Sequence, residues 1–398
     1  MAVHGTFRFH PIGQGLFYSG ILMKKDGKQN RQFSFVYDCG TDSPRVFLRQ
    51  ETDHLKLLLK NSRTSGRKKL DLLIVSHLHD DHVNGLEHLL DGVEVDTVVM
   101  PYLSEGMKLL ARLESSYDEA FLQSFYLDPV AWFESKGVRR ILLLGADERD
   151  SFKDNYLIQR RESTNDLSVS PGSILMHEEY GETELVYLKN CTTLNATPFH
   201  WEFCLENLPV PNWDAYGRTV EEYLDQNYVT LSQVFASRRH VQALRQKLNR
   251  SVCKGGYSIN RTSVVLLHNP NQEQSDTANL FHITPVCDCY YARNKRCFSV
   301  RYAILTGDIE LDNESISVFR KREDGGKCPP AHRTLVQYPH HGADADAFNG
   351  FLNDECFFVI SCGITNRYGH PDSHIFQKYP MVEMVNERRP FDYEIFAE

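Results

Sequence analysis

Several familiar features are missing from this sequence of 398 residues. No apolar run approaches the roughly 18 residues that a membrane-spanning helix needs. The first stretch, MAVHGTFRFHPIG, has neither the basic nor the apolar segment of a secretory leader, so none is expected. No C-x₂-C pair occurs, which removes the commonest zinc-ribbon patterns. The ten cysteines are scattered, apart from three in CDCYYARNKRC (287–297) with Cys328 the nearest fourth. That spacing predicts free cysteines of a loop or hairpin rather than structural zinc, and a cytoplasmic protein with reduced thiols. Net positive charge is also absent. Lys and Arg number 44 against 53 Asp and Glu, leaving −9, which argues against wholesale coating of nucleic acid. Basic residues do concentrate in RTSGRKK (63–69) and RRHVQALRQKLNRSVCK (238–254). These are expected to form a solvated loop and a solvated helix face, with a local phosphate track as the alternative. There is no internal repeat and no low-complexity tract.

What remains is a composition suited to a globular protein, 41% hydrophobic and 24% charged. The length allows two or three domains, or one large α/β unit with insertions. Strand patterns at 6–23 and 31–44 precede an amphipathic helix near 45–60, the buried strand DLLIVS (71–76), a short helix in NGLEHLLDG (84–92) and the buried strand VDTVVMPY (95–102). This β-α-β-α-β rhythm predicts layered α/β structure. In DPVAWFESKG (128–137), Asp128 is placed to cap a helix, with Pro129 in its first position and Gly137 as its stop. The strand VRRILLL (138–144) follows. Residues 147–170 read as a polar loop and about 213–250 as helix. Further strands are expected near 192–197, 262–268, 301–307, 333–339 and 355–363. We read the chain as a single domain, 1–398, with helical insertions at about 103–136 and 203–250.

Histidines and carboxylates recur where these strands end. His77, His79, Asp81 and His82 follow the strand at 71–76; His200 ends TPFH, Asp308 ends TGD, His340 and His341 open HHGAD, and His370 lies in CGITNRYGHPDSH. So dense a cluster costs desolvation and repulsion unless a positive charge neutralises it. Imidazole and carboxylate ligands suit zinc, manganese or iron, and a two-metal site needs about seven, one of them a bridging carboxylate. On an extended segment His77 and His79 point the same way. Asp81 and His82, at the turn into a helix, would serve a second ion, with Asp308 as bridge.

HLHDDH after a buried strand resembles the H-x-H-x-D-H signature of the metallo-β-lactamase superfamily. VYDCG, TPFH, LTGD and HHGA are similar to that family's first, third, fourth and fifth motifs. A narrower resemblance is to the ComEC-type branch, the domain of the competence DNA-uptake channel and its stand-alone relatives. It rests on IGQG (12–15), NRTSVVLLH (260–268), LTGD, PHHG and NRYGHP (366–371), in that order. The chain departs from the branch in lacking channel spans, in having His79 where aspartate is usual, and in having Leu16 where an acidic residue commonly follows the glycine turn.

The resemblance implies an αββα sandwich holding two divalent transition-metal ions, zinc or manganese. His77, His79 and His200 would hold the first ion and Asp81 and His82 the second, with Asp308 between them and His341 as a further ligand. Asp81 would also orient the attacking water. His340 is assigned to the transition state or leaving group, and His370 to a substrate phosphate, the leaving group or the orientation of a ligand. The implied activity is phosphodiester hydrolysis, by a nuclease on DNA or RNA or by a nucleotide phosphodiesterase. The same ligands also serve thioesterases, lactonases and β-lactamases. A third alternative is an effector subunit of a multi-protein system, held inactive until a protein partner docks on the helical insertions.

Overall fold

Alternation of apolar side chains along the central strands determines how the layers stack. In a computed structural model, described over residues 2–26, 29–61, 66–103, 105–115, 120–146, 166–170, 172–208, 213–235, 237–252, 259–271, 300, 302–309, 334–348 and 356–397, the elements run as follows. First come β1 (Val3–Phe9), β2 (Gly15–Asp26), β3 (Gln29–Thr41), α1 (Arg45–Asn61), β4 (Lys69–Ile74), α2 (Asp80–Val83), α3 (Leu86–Leu90) and β5 (Glu94–Pro101). Then come α4 (Glu105–Glu114), α5 (Ala120–Leu127), α6 (Pro129–Ser135), β6 (Arg140–Leu144), β7 (Leu167–Val169), β8 (Ile174–Tyr180), β9 (Thr183–Leu188), β10 (Cys191–Ala196) and β11 (Trp201–Asn207). The chain continues through α7 (Trp213–Asn227), α8 (Leu231–Phe235), α9 (Arg238–Val252), β12 (Val264–Pro270), β13 (Tyr302–Leu305) and β14 (Thr334–Gln337). It finishes with β15 (Phe357–Ser361), α10 (His374–Lys378), β16 (Val382–Val385) and β17 (Phe391–Ala397). The cysteine group 287–297, Cys328 and the first part of RTSGRKK lie outside the described residues. No described helix is long and apolar enough to cross a membrane.

Two mixed sheets result, one of nine strands in the order β17-β1-β2-β3-β4-β5-β6-β9-β8, the other of eight, β16-β15-β14-β13-β12-β11-β10-β7. Strands β3 to β6 with β9 are parallel, as are β13 to β16. In β4, Leu73 and, just past the strand, Val75 enter a core shared with helices, while Leu72 and Ile74 enter a second core. In β6, Ile141 and Leu143 take the first face, Leu142 and Leu144 the second. The second core draws on both sheets, with Phe35 and Val99 from one and Phe203, Leu266 and Leu335 from the other. The period-2 pattern thus makes each central strand apolar on both faces.

Helix α1 is pinned to its sheet by a buried polar relay. His10 Nδ1 lies 2.8 Å from Glu51 Oε2 and its Nε2 2.8 Å from Ser19 Oγ, while Arg8 reaches Glu51 and Asp392. The connectivity is that of a nucleophilic triad, but Ser19 is buried in mid-strand and the His10 ring is stacked on Phe17. It is an anchor.

The expected cap of α6 is present, the Ala131 N–H donating to Asp128 Oδ1 at 3.0 Å. The stretch read as a helical insertion at 203–250 begins instead with β11, hydrogen-bonded on both sides to β10 and β12, and only then breaks into α7, α8 and α9.

Candidate metal centre

Chemistry in α/β folds collects beyond the carboxyl ends of parallel strands, and here two such edges meet. The Val264 N–H at the start of β12 donates to Ser76 O beyond β4 (2.8 Å), so the 77–82 loop of one sheet lies against the strand ends of the other. The approach is close enough to require glycine: a Cβ on Gly40, near the end of β3, would stand 2.5 Å from the backbone of Asp81 and His82. Strain collects at the same edge. Asp38, His340 and His341 all have positive φ, between 49° and 58°, a conformation that non-glycine residues adopt only where surrounding structure enforces it.

The edge brings Asp81, His82, Asp308 and His341 together, one ligand atom from each lying within 4.8 Å of all the others. His82 Nε2 is 3.2 Å from Asp308 Oδ1, and His341 Nε2 is 3.1 Å from Asp81 Oδ2 and 3.4 Å from Asp308 Oδ2. His77 Nε2 and His79 Nδ1 form a neighbouring pair, 3.1 Å apart, with the His77 ring 4.2 Å from that of His82. Ligands about 2.1 Å from one ion stand roughly 3.0–3.4 Å from each other, so these separations fit metal coordination. His82 Nε2 and Asp308 Oδ1 are buried and neither makes a hydrogen bond.

The outer nitrogens explain why the inner ones are free to bind. His341 Nδ1 donates to the Ser361 carbonyl (2.8 Å), which can only accept, so in the neutral ring that a metal would bind Nε2 keeps its lone pair. His82 Nδ1 donates to Asp38 Oδ2 (2.8 Å). Ser76 gives Asp38 both its N–H and its hydroxyl, leaving Oγ to accept from His77 Nδ1 at 3.0 Å. Orientation of ligand imidazoles by such outer acceptors is a recurrent property of metal sites.

Electrostatics point the same way. Burial opposes charge on His341, yet Asp308 and Asp81 hold its pKa up at about 10, and Asp308, Asp38 and Asp81 raise His82 likewise. Burial would raise Asp308, but His341 and His82 hold it well below the usual carboxylate range. His77 is pushed well down by burial and by its neighbours His82 and His79. The carboxylates thus favour positive charge at His82 and His341, while His77 is held neutral, the form in which an imidazole binds a metal.

Other expected residues are placed differently. His340 is outside the four-residue group and faces His370 across 5.6 Å. His370 Nδ1 is buried without a partner. His200, assigned above to the first ion, is not brought to the centre. It is exposed and follows β10 at the Trp201–Pro270 end of the β11–β12 pair, whereas Ser76 lies at the Asn207–Val264 end. Six residues of strand separate the two, roughly 20 Å. Two contributors carried no sequence signal: Glu114 of α4, with Oε2 2.9 Å from His79 Nε2, and Tyr126 of α5, whose hydroxyl donates to Asp80 Oδ1 at 2.9 Å.

Residues 29–154 match the family model of the metallo-beta-lactamase superfamily. This superfamily consists generally of hydrolytic metalloenzymes and typically binds divalent metals. The match spans β3 to β6 and with them Asp38 and the whole 77–82 loop. Asp308 and His341 lie beyond the matched residues and join the cluster through the second sheet. No curated protein matches the chain. The superfamily match and the Asp–His cluster together indicate a metal-dependent hydrolase.

Proposed function

We propose that the chain is a two-cation phosphodiesterase, with the αββα architecture and motif order of the ComEC-type branch. The carrying observation is the cluster of Asp81, His82, Asp308 and His341, with the inner nitrogens of both histidines left open by outer acceptors. A core common to both sheets, with α1 and α3 to α9 packed on the first and α10 on the second, supports the sandwich. Those four residues would hold one ion; His77 and His79, with Asp308 as bridge, would hold the other. When bound, the ions supply Lewis acidity and lower the pKa of water. The chain itself supplies orientation and protons. Asp81 and Asp308 fix the ligand geometry. His341 belongs to the group that would hold the ions, so His340 would be the member of the pair left for substrate. His340 stands 5.6 Å from the His370 ring; His340 would meet a phosphate or leaving-group oxygen, with His370 orienting it.

For nucleic acid, the supporting surface is α9, which contains no acidic residue. Arg238, Arg239 and Arg245 are exposed while Val241, Leu244 and Leu248 are buried. The other basic stretch flanks a pocket of about 390 Å³ lined by Lys60, Arg67 and Lys68, beside the start of β4 and so at the strand end away from the cluster. A phosphate track would therefore use α9 alone.

The test is hydrolysis of bis-p-nitrophenyl phosphate with manganese or zinc, then of single- and double-stranded DNA, RNA and cyclic nucleotides. Asp308→Asn is expected to lower the rate by at least about 10³-fold with the fold intact. Polynucleotide binding is expected to fall steeply with salt, and further on reversing Arg238, Arg239 and Arg245; a mononucleotide substrate would show a shallow slope. Turnover of a thioester or lactone, with no phosphodiester cleaved under any metal, would overturn the substrate assignment.

A further inference from the structure

The first ion is short of protein ligands once His200 is removed, and what stands beside it comes from a helix outside the strand-end motifs. Helix α4 finishes at Glu114, whose Oε2 lies 2.9 Å from His79 Nε2, while His79 Nδ1 lies 3.1 Å from His77 Nε2. A neutral imidazole has one N–H and one lone pair. If Nε2 carries the hydrogen and gives it to Glu114, Nδ1 is left to bind an ion together with His77 Nε2.

We propose that Glu114 is a positioning residue for the first ion: its carboxylate fixes the tautomer and ring angle of His79. The proposal rests on the two-cation reading above. It gives His79 the outer acceptor that Ser361 gives His341, Asp38 gives His82 and Ser76 gives His77. It also gives the α4–α5 segment a chemical task, because Tyr126 holds Asp80, the next residue along. Helix α4 is itself backed by the second group of helices, with the Arg112 guanidinium 3.6 Å from the centre of the Phe235 ring. The positioning of His79 thus depends on packing between the two insertions.

The experiment is a cobalt titration of the full chain after chelation, read by absorbance and by chelator competition, for wild type, Glu114→Met and Glu114→Gln. Glutamine keeps an acceptor oxygen; methionine keeps the bulk and loses it. We expect wild type to bind two ions. In E114M one ion should bind as before and the other about 10- to 100-fold more weakly. E114Q should stay close to wild type. A plain surface ion pair predicts no change in either variant, and a requirement for charge predicts that E114Q fails like E114M; either result overturns the proposal while leaving the metal reading standing. Wild type binding no cobalt, zinc or manganese overturns both. Thermal unfolding in chelator checks that E114M folds, and if it does not, E114A takes its place.

Discussion

His268 is an imidazole set in an aromatic core. The rings of Phe7, Phe35 and Trp201 lie 5.1–6.0 Å away, Tyr18 Oη is 2.8 Å from its Nε2, and Nδ1 has no partner. Burial pushes its pKa down to about 3 from the ordinary 6.5. The folded chain thus refuses a proton that the unfolded chain accepts. Stability is complete above about pH 6.5 and falls as the pH drops towards 3, by at most about 1.4 kcal/mol per unit. His10, lowered to about 4, adds to the loss. His268→Phe should flatten urea-denaturation stability measured between pH 6 and 4.5, because Tyr18 keeps Tyr393 as partner at 2.6 Å; an unchanged slope would show that His268 is charged in the fold. Such a role is illegible in SVVLLH, where the histidine looks like any strand-end ligand. The 77–82 grouping was legible because its histidines and carboxylates fall within six positions and follow an apolar run. Glu114 was not, because a glutamate on an amphipathic helix is ordinarily solvated, and only the fold shows that its helix ends at His79.

At the scale of elements, the clearest consequence is the contact between β3 and the 77–82 loop. Gly40→Ala would place a methyl 2.5 Å from rigid backbone at Asp81 and His82, with no flexible side chain to give way. We expect it to cost about 2 kcal/mol or more and to weaken metal binding, whereas Asp128→Ala, which removes only the α6 cap, should cost about 1 kcal/mol and leave metal binding unchanged. Denaturation and metal titration of both variants separate a general loss of stability from a local distortion. Strand alternation and capping made β4, β5, β6 and α6 readable. The misplacement of His200 has a different origin: a sequence shows that a strand ends, but not which end of the sheet it has reached. TPFH closes an antiparallel strand at the edge away from the centre. β11 falls inside the stretch expected as a helical insertion, although Trp201, Phe203 and Leu205 alternate with Glu202, Cys204 and Glu206 as a strand with one buried face does.

For the whole molecule, the central fact is that the candidate metal cluster is divided between the sheets, with Asp81 and His82 following β4 of one and Asp308 and His341 following β13 and β14 of the other. An ion bound there stabilises the docked arrangement. At a free metal concentration 100-fold above Kd this is worth about 2.7 kcal/mol, so chelation should lower Tm by about 3 °C, and an Asp308→Asn chain should show a smaller drop. Equal melting temperatures with and without chelator would argue against ligation by both sheets. The division also orders events in time. During synthesis the histidines of the 77–82 loop emerge long before Asp308 and His341 exist, and they can offer an ion only a partial shell. Tight capture has to wait until the second sheet has been made and has closed against the first. On the reading proposed above, an ion that arms the hydrolase would also report that the chain has finished folding, and an incomplete chain would lack the activity.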